Sequence, residues 1–130
     1  MVDKISNNKP SANKVIKSFV YAFNGIKHGF ITQLNIKVHI IISILVIVAG
    51  FLLNISLNQW ILIIIVMAMV FSAELINTAI EGVVDIISPD YDKKAGLIKD
   101  CAAAAVLITA IAAAIVGMLI FAPKLIELFK

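Results

Sequence analysis

Three long apolar blocks decide what this chain can fold into. They lie at about 38–53, 60–87 and 101–122. Crossing a hydrocarbon core of roughly 30 Å takes about 20 mostly apolar residues at ~1.5 Å each, so each block is a candidate transmembrane helix. A spanning segment must satisfy its own backbone polar groups, which predicts an all-α membrane protein. Composition agrees, with 62% of the 130 residues hydrophobic and 15% charged, against about 45–50% and 25% in soluble domains. A soluble enzyme, a secreted disulfide scaffold and a disordered chain are therefore excluded. The length suits one domain, expected over 13–130 behind a mobile tail at 1–12 that is rich in Asn, Lys and Pro10. Cys101 is the sole cysteine and has no partner for an internal disulfide.

The segments between the blocks carry orientation. All eleven basic residues are lysines. Lysines 4, 9, 14, 17, 27 and 37 precede the first block, lysines 93, 94 and 99 follow the second, and Lys124 and Lys130 follow the third. The nine-to-two split predicts a cytoplasmic N-terminus and an external C-terminus. No cleavable leader is expected, since the first apolar run starts near residue 38 without a small-residue cleavage site. Before it, Val15, Phe19, Ala22, Phe23, Ile26 and Phe30 recur at three and four residues, opposite Lys14, Lys17, Tyr21, Asn24 and His28. This spacing predicts an amphipathic helix over about 13–30 that lies along the cytoplasmic surface and turns into the membrane near Gly29. A hydrophilic loop is expected over 88–100, and Gly117 followed by Pro123 is expected to stop the third span.

The most informative polar residues lie in the second block. Glu74, Asn77, Thr78, Glu81 and Asp85, in FSAELINTAIEGVVD, fall within about a 100° arc of one helix. Counted from Trp60 at the outer interface, Glu74 lies about 21 Å along the axis, Glu81 about 31 Å and Asp85 about 37 Å. The stripe thus climbs from cytoplasmic water into the membrane. Interhelical hydrogen bonds are the structural alternative, but three aligned acids favour a wet working cavity, because ionisable groups in a membrane helix are costly and normally functional. Mutual repulsion calls for a cation among them, supplied by lysines or by a divalent metal held through oxygen.

Lys99 and Asp100 stand at the cytoplasmic edge of the third span. Lys99 can be a snorkelling anchor or a phosphate ligand, and Asp100 has a favourable place near a helix start. His39 reads as a partnered residue rather than a metal ligand. No phosphate-binding glycine loop, dinucleotide fingerprint or zinc spacing is present.

With these residues in view, the chain resembles the small prokaryotic integral-membrane lipid kinases, which include diacylglycerol kinase and the undecaprenol kinase of Gram-positive bacteria. The specific matches are ELINTAIEGVVD at 74–85 and KDCAAAAVL at 99–107, with weaker support from KSFVYAFNGI at 17–26 and NIKVH at 35–39. The resemblance implies an ATP-dependent kinase of a membrane lipid alcohol, with Mg2+ as cofactor, no nucleic-acid partner, and a homotrimer with sites between subunits. It implies Glu74 as catalytic base, Glu81 as a magnesium ligand within the ATP site, Asp85 and Gln33 among the ATP-binding residues, and Asn77 as lining. Lys14, Tyr21, Lys99 and Asp100 would contact the nucleotide, and Asp90, Tyr91 and Asp92 would lie in the loop over it. Gln33 occupies the position of a second, glutamate metal ligand; its neutral amide is expected to weaken metal binding. Lys14 and Lys37 stand where arginine is frequent, with loss of bidentate phosphate recognition. Asn35, His39 and FAPK at 121–124 favour undecaprenol as substrate, with diacylglycerol next. The competing functions are a non-enzymatic proton or ion relay subunit, and a kinase-derived protein with impaired metal binding.

Overall fold

The computed structural model describes residues 12–90 and 92–128. The expected tail, apart from Ala12, and Tyr91 lie outside them. Four helices run in order as α1 (Ala12–Thr32), α2 (Leu34–Leu52), α3 (Leu57–Ile87) and α4 (Lys93–Leu128). The last three are long and apolar enough to cross a membrane.

Helix α1 belongs to a unit of its own. It continues without a break through Gly29, three residues beyond the expected turn, to Thr32, whose hydroxyl donates to the His28 carbonyl at 2.8 Å. Along it Val15, Phe19 and Phe23 are exposed, as are the residues of the opposite face.

Helices α2, α3 and α4 form the second unit, each antiparallel to the next. A tight turn joins α2 to α3. Asn54 takes a left-handed backbone, with φ of 47°, which asparagine tolerates better than most residues. Ser56 then caps α3: its hydroxyl accepts from the Gln59 amide at 3.4 Å while the Gln59 side-chain oxygen accepts from the Ser56 amide at 2.8 Å. This reciprocal box satisfies two amide groups that a helix start otherwise leaves orphaned. Trp60 folds back over Gly50 and sits 4.9 Å, centroid to centroid, from the Phe51 ring. Ile55, Ile63 and Ile120 form a buried cluster beneath it.

The α3–α4 contact follows a heptad-like seam. On α3 the buried and half-buried positions include Ile63, Met67, Val70, Glu74, Asn77, Glu81 and Val84, spaced alternately four and three apart. On α4 they include Ala102, Val106, Thr109, Ala113, Val116 and Ile120, with the same alternation. This is the period of left-handed helix packing, and the alanines allow close approach where no hydrophobic force drives helices together in lipid. The seam changes character along its length: Ile63, Met67 and Val70 are apolar, whereas Glu74, Asn77 and Glu81 are polar.

Helix α4 differs from expectation at both ends. It starts at Lys93, so most of the loop foreseen over 88–100 is helical. Asp92 explains the start: its Oδ1 accepts from the Lys94 and Ala95 amides at 2.7 and 2.9 Å, the geometry of an N-cap. At the other end Pro123 lies inside the helix, which runs on to Leu128. Proline removes one backbone hydrogen bond, a loss that membrane helices tolerate, and Lys124 Nζ donates to the Asn54 carbonyl at 3.4 Å, tying this end to the α2–α3 turn.

A Cβ added at Gly50 would stand 2.7 Å from the Trp60 indole. Gly50→Ala should therefore lower stability by about 1–3 kcal/mol through overpacking. In a Trp60→Leu background the same change should be neutral or stabilising, since alanine exceeds glycine in helix propensity by about 1 kcal/mol. Thermal unfolding in detergent of the four proteins measures both effects.

Candidate active site

Placing Trp60 at the outer edge of a ~30 Å hydrocarbon core puts Glu74 about 9 Å inside the inner boundary, Glu81 near it, and Asp85 about 7 Å beyond it. The acids of the stripe thus meet three environments. Glu74 is 2% exposed and Asn77 6%; Glu81 is half-buried and Asp85 exposed.

Opposite Glu74, Asn77 and Glu81, α4 presents Ala103, Val106, Leu107 and Ala110, and α2 contributes Asn35, Val38 and His39. Small side chains on α4 leave a cleft of about 360 Å³ there. They also supply no polar partner, so the groups of α3 must pair with one another, with α2, or with a ligand. Asn77 Nδ2 donates to Glu81 Oε1 at 3.0 Å, one helical turn away. Thr78 turns away from this network, its hydroxyl donating to the Glu74 backbone carbonyl at 2.9 Å. His39 Nε2 stands 3.3 Å from Glu74 Oε1, but the N–H is off line. Glu74 Oε1 and Asn77 Oδ1 are consequently two buried acceptors without a hydrogen bond among the described residues. Buried acceptors are paired in most folded proteins, so this pair marks a place where a donor is missing.

A second cleft of about 280 Å³ lies farther along α3, between Asp85, Ser88, Pro89 and Asp90 on one side and Asp92, Gly96 and Lys99 on the other. Lys99 Nζ donates to Asp85 Oδ1, so the cation expected among the acids at this depth is Lys99. An ammonium has three donors, which leaves Lys99 capacity for a further anion. Asp92 lines this cleft, and its Oδ1 also caps α4.

The remaining expected residues are less gathered. Asp100 is exposed on α4 and does not line the second cleft. Gln33 caps α2, is half-buried, makes no side-chain hydrogen bond to the helix start, and does not line the cleft that holds Glu81. Lys14 and Tyr21 lie on α1, in the other unit, where Tyr21 is exposed. Among the described residues no three His, Cys, Asp or Glu side chains converge on one metal position. Magnesium that travels with a nucleotide needs only one or two protein carboxylates beside phosphate and water. Glu81, with one oxygen engaged by Asn77, fits that modest requirement.

The residue that sequence reasoning left out of the site is His39. Its signal was present in the counting: His39 lies fourteen residues before Leu53, and Glu74 fourteen after Trp60. Two antiparallel helices joined by a short turn therefore bring them to the same depth, about 21 Å from the turn.

Comparison with known proteins identifies the family. The pattern of a family described as prokaryotic diacylglycerol kinase matches residues 20–121. An undecaprenol kinase of Bacillus subtilis is 41% identical over 113 residues, covering 87% of this chain and 92% of the relative. A diacylglycerol kinase of Synechocystis sp. is 39% identical over 118 residues, covering 90% and 67%. A diacylglycerol kinase of Escherichia coli is 31% identical over 111 residues, covering 85% and 91%. The family match takes in α2, α3, most of α4 and both clefts; this multi-pass membrane protein belongs to the prokaryotic diacylglycerol kinase family and is a lipid kinase.

Proposed function

We propose that the protein transfers the γ-phosphoryl group of ATP to a membrane lipid alcohol at the cytoplasmic face, with undecaprenol the favoured acceptor and diacylglycerol the next. The observation that carries this reading is the pair of buried, donor-less acceptors, Glu74 Oε1 and Asn77 Oδ1, set inside the hydrocarbon boundary. An alcohol brings one O–H donor on an apolar body, which suits that position.

In this reading the lipid hydroxyl donates to Glu74. The new bond forms between its oxygen and the γ-phosphorus, the bond from that phosphorus to the bridging oxygen breaks to release ADP, and the proton passes to Glu74. Asn77 holds Glu81 by its amide and keeps its own oxygen toward the hydroxyl. Glu81 lies about 10 Å along the axis from Glu74, toward the water side, where the phosphates would lie. Bound Mg2+ would neutralise phosphate charge, with Glu81 as its carboxylate ligand and Gln33 as a weaker amide one. Lys99, Asp85, Asp90, Tyr91, Asp92, Asp100, Lys14 and Tyr21 are the nucleotide-contacting set that the family resemblance implies. Lys99 has the strongest physical case, with donors to spare beside Asp85. Positioning and charge neutralisation are what phosphoryl transfer chiefly needs.

The choice of undecaprenol rests on the Bacillus subtilis relative and on Asn35 and His39, both of which line the cleft. The lysine distribution supports a cytoplasmic N-terminus and an external C-terminus in a bacterial cytoplasmic membrane. A homotrimer, with neighbouring subunits closing the open side of the cleft, follows from the resemblance. Kinase relatives over most of the chain favour this reading over a proton or ion relay.

Purified protein with Mg-ATP should phosphorylate undecaprenol faster than diacylglycerol in mixed micelles. Glu74→Gln should lower that rate by about 10²–10⁴-fold, the usual contribution of a general base; activity that survives removes Glu74 from that role. Gln33→Glu should lower the Mg2+ concentration for half-maximal rate, whereas an unchanged requirement places position 33 outside the metal's ligands.

A further inference from the structure

A carboxylate that receives a proton must be held in one orientation, and nothing on α3 or α4 holds Glu74. Asn77 is engaged with Glu81, Thr78 bonds to backbone, and on α4 the Thr109 hydroxyl donates to the Val106 carbonyl at 2.8 Å while the side chains lining the cleft are apolar. Three χ angles beyond the backbone leave a glutamate in a cleft of about 360 Å³ with several rotamers.

The polar group within reach is on the neighbouring helix. His39 Nε2 lies 3.3 Å from Glu74 Oε1, with the histidine side chain 22% exposed and the glutamate 3%. The placement is built into the hairpin, because the capped four-residue turn 53–56 fixes the register of α2 against α3 and brings both residues to equal depth. His39 also borders two compartments. It lines the polar cleft with Glu74, Asn77 and Glu81, and an apolar cavity of about 260 Å³ beyond it with Ile42, Val46, Val70 and Met118.

The geometry points to His39 as a positioning residue that fixes Glu74 by donating its Nε2–H to Oε1. At 3.3 Å the pair is within donor–acceptor reach, and bringing the N–H onto line is the kind of tightening that catalytic hydrogen bonds undergo when substrate binds. Each carboxylate oxygen has two acceptor sites, so Glu74 can take the histidine donor and the lipid hydroxyl together. The imidazole itself gains and loses no proton in the transfer. This role rests on Glu74 being the base proposed above.

The test compares wild type, His39→Leu, His39→Gln and Glu74→Gln for kcat, for KM of lipid alcohol and of Mg-ATP, and for thermal unfolding. Glutamine carries an amide N–H near the Nε2 position, whereas leucine fills the space without a donor. Losing one hydrogen bond to a charged group should lower kcat of His39→Leu by about 10- to 100-fold, with both KM values and thermal stability little changed, and His39→Gln should recover most of the rate. An unchanged kcat in His39→Leu, an equal loss in His39→Gln, or a loss confined to the lipid KM overturns the assignment. Activity retained in Glu74→Gln overturns the base reading instead. Independently of the His39 variants, the Nε2–H resonance of His39 should shift between wild type and Glu74→Gln, and an unmoved resonance contradicts the contact.

Discussion

Glu74 occupies a position in the α3–α4 seam where the heptad period calls for an apolar side chain, and the neighbouring structure is arranged around that substitution. Moving an ionised carboxylate out of water costs several kcal/mol even after relaxation, and a membrane seam gives little relief unless partners are supplied. The α4 side chains lining the cleft opposite are alanines, valine and leucine, and Thr109 spends its hydroxyl on the Val106 carbonyl, so a cleft opens rather than a salt bridge closing. Helix α2 responds with His39, brought to the right depth by the Ser56–Gln59 cap and the turn around Asn54. The seam remains an ordinary apolar contact nearer the turn, through Ile63 and Ile120, and this half supports the helix pair while the other half is left open.

Depth divides the chemistry. Along a single face of α3 the acids pass from buried, at Glu74, to exposed, at Asp85. Under the proposed function, a lipid hydroxyl approaching from the membrane would meet the first, and an anion approaching from water would meet Lys99, which donates to the last. A helix of 31 residues exceeds a ~30 Å core by about 16 Å; the projecting turns carry the water-side cleft out of the membrane. In the proposed function, one helix would thus hold both reactants of a phosphoryl transfer in register.

Much of this was legible in the sequence, for identifiable reasons. Apolar block length announced the three spans, and the 100° arc of Glu74, Asn77, Glu81 and Asp85 announced the stripe, because helical period and hydropathy are local properties. His39 was harder, since its meaning depends on pairing two helices across a turn, and only counting outward from that turn reveals it. The start of α4 was hidden because Lys93, Lys94 and Gly96 read as loop composition, while the deciding contact is the Asp92 carboxylate on two amides. Pro123 misled in the opposite sense: proline removes a donor, but a helix anchored beyond it by Lys124 continues. Lys14, Tyr21 and Gln33 were singled out by resemblance, and their relation to the clefts depends on tertiary placement that no local pattern encodes.

The central claim is that the buried Glu74 carboxylate is where the lipid alcohol docks. Site-resolved labelling of Glu74 by an apolar carbodiimide, read by mass spectrometry with and without a short-chain isoprenoid alcohol, tests it most directly. The alcohol should slow labelling of Glu74 with a concentration dependence matching its KM, while labelling of the exposed Asp85 is unaffected. Equal labelling of Glu74 with and without the alcohol would contradict it.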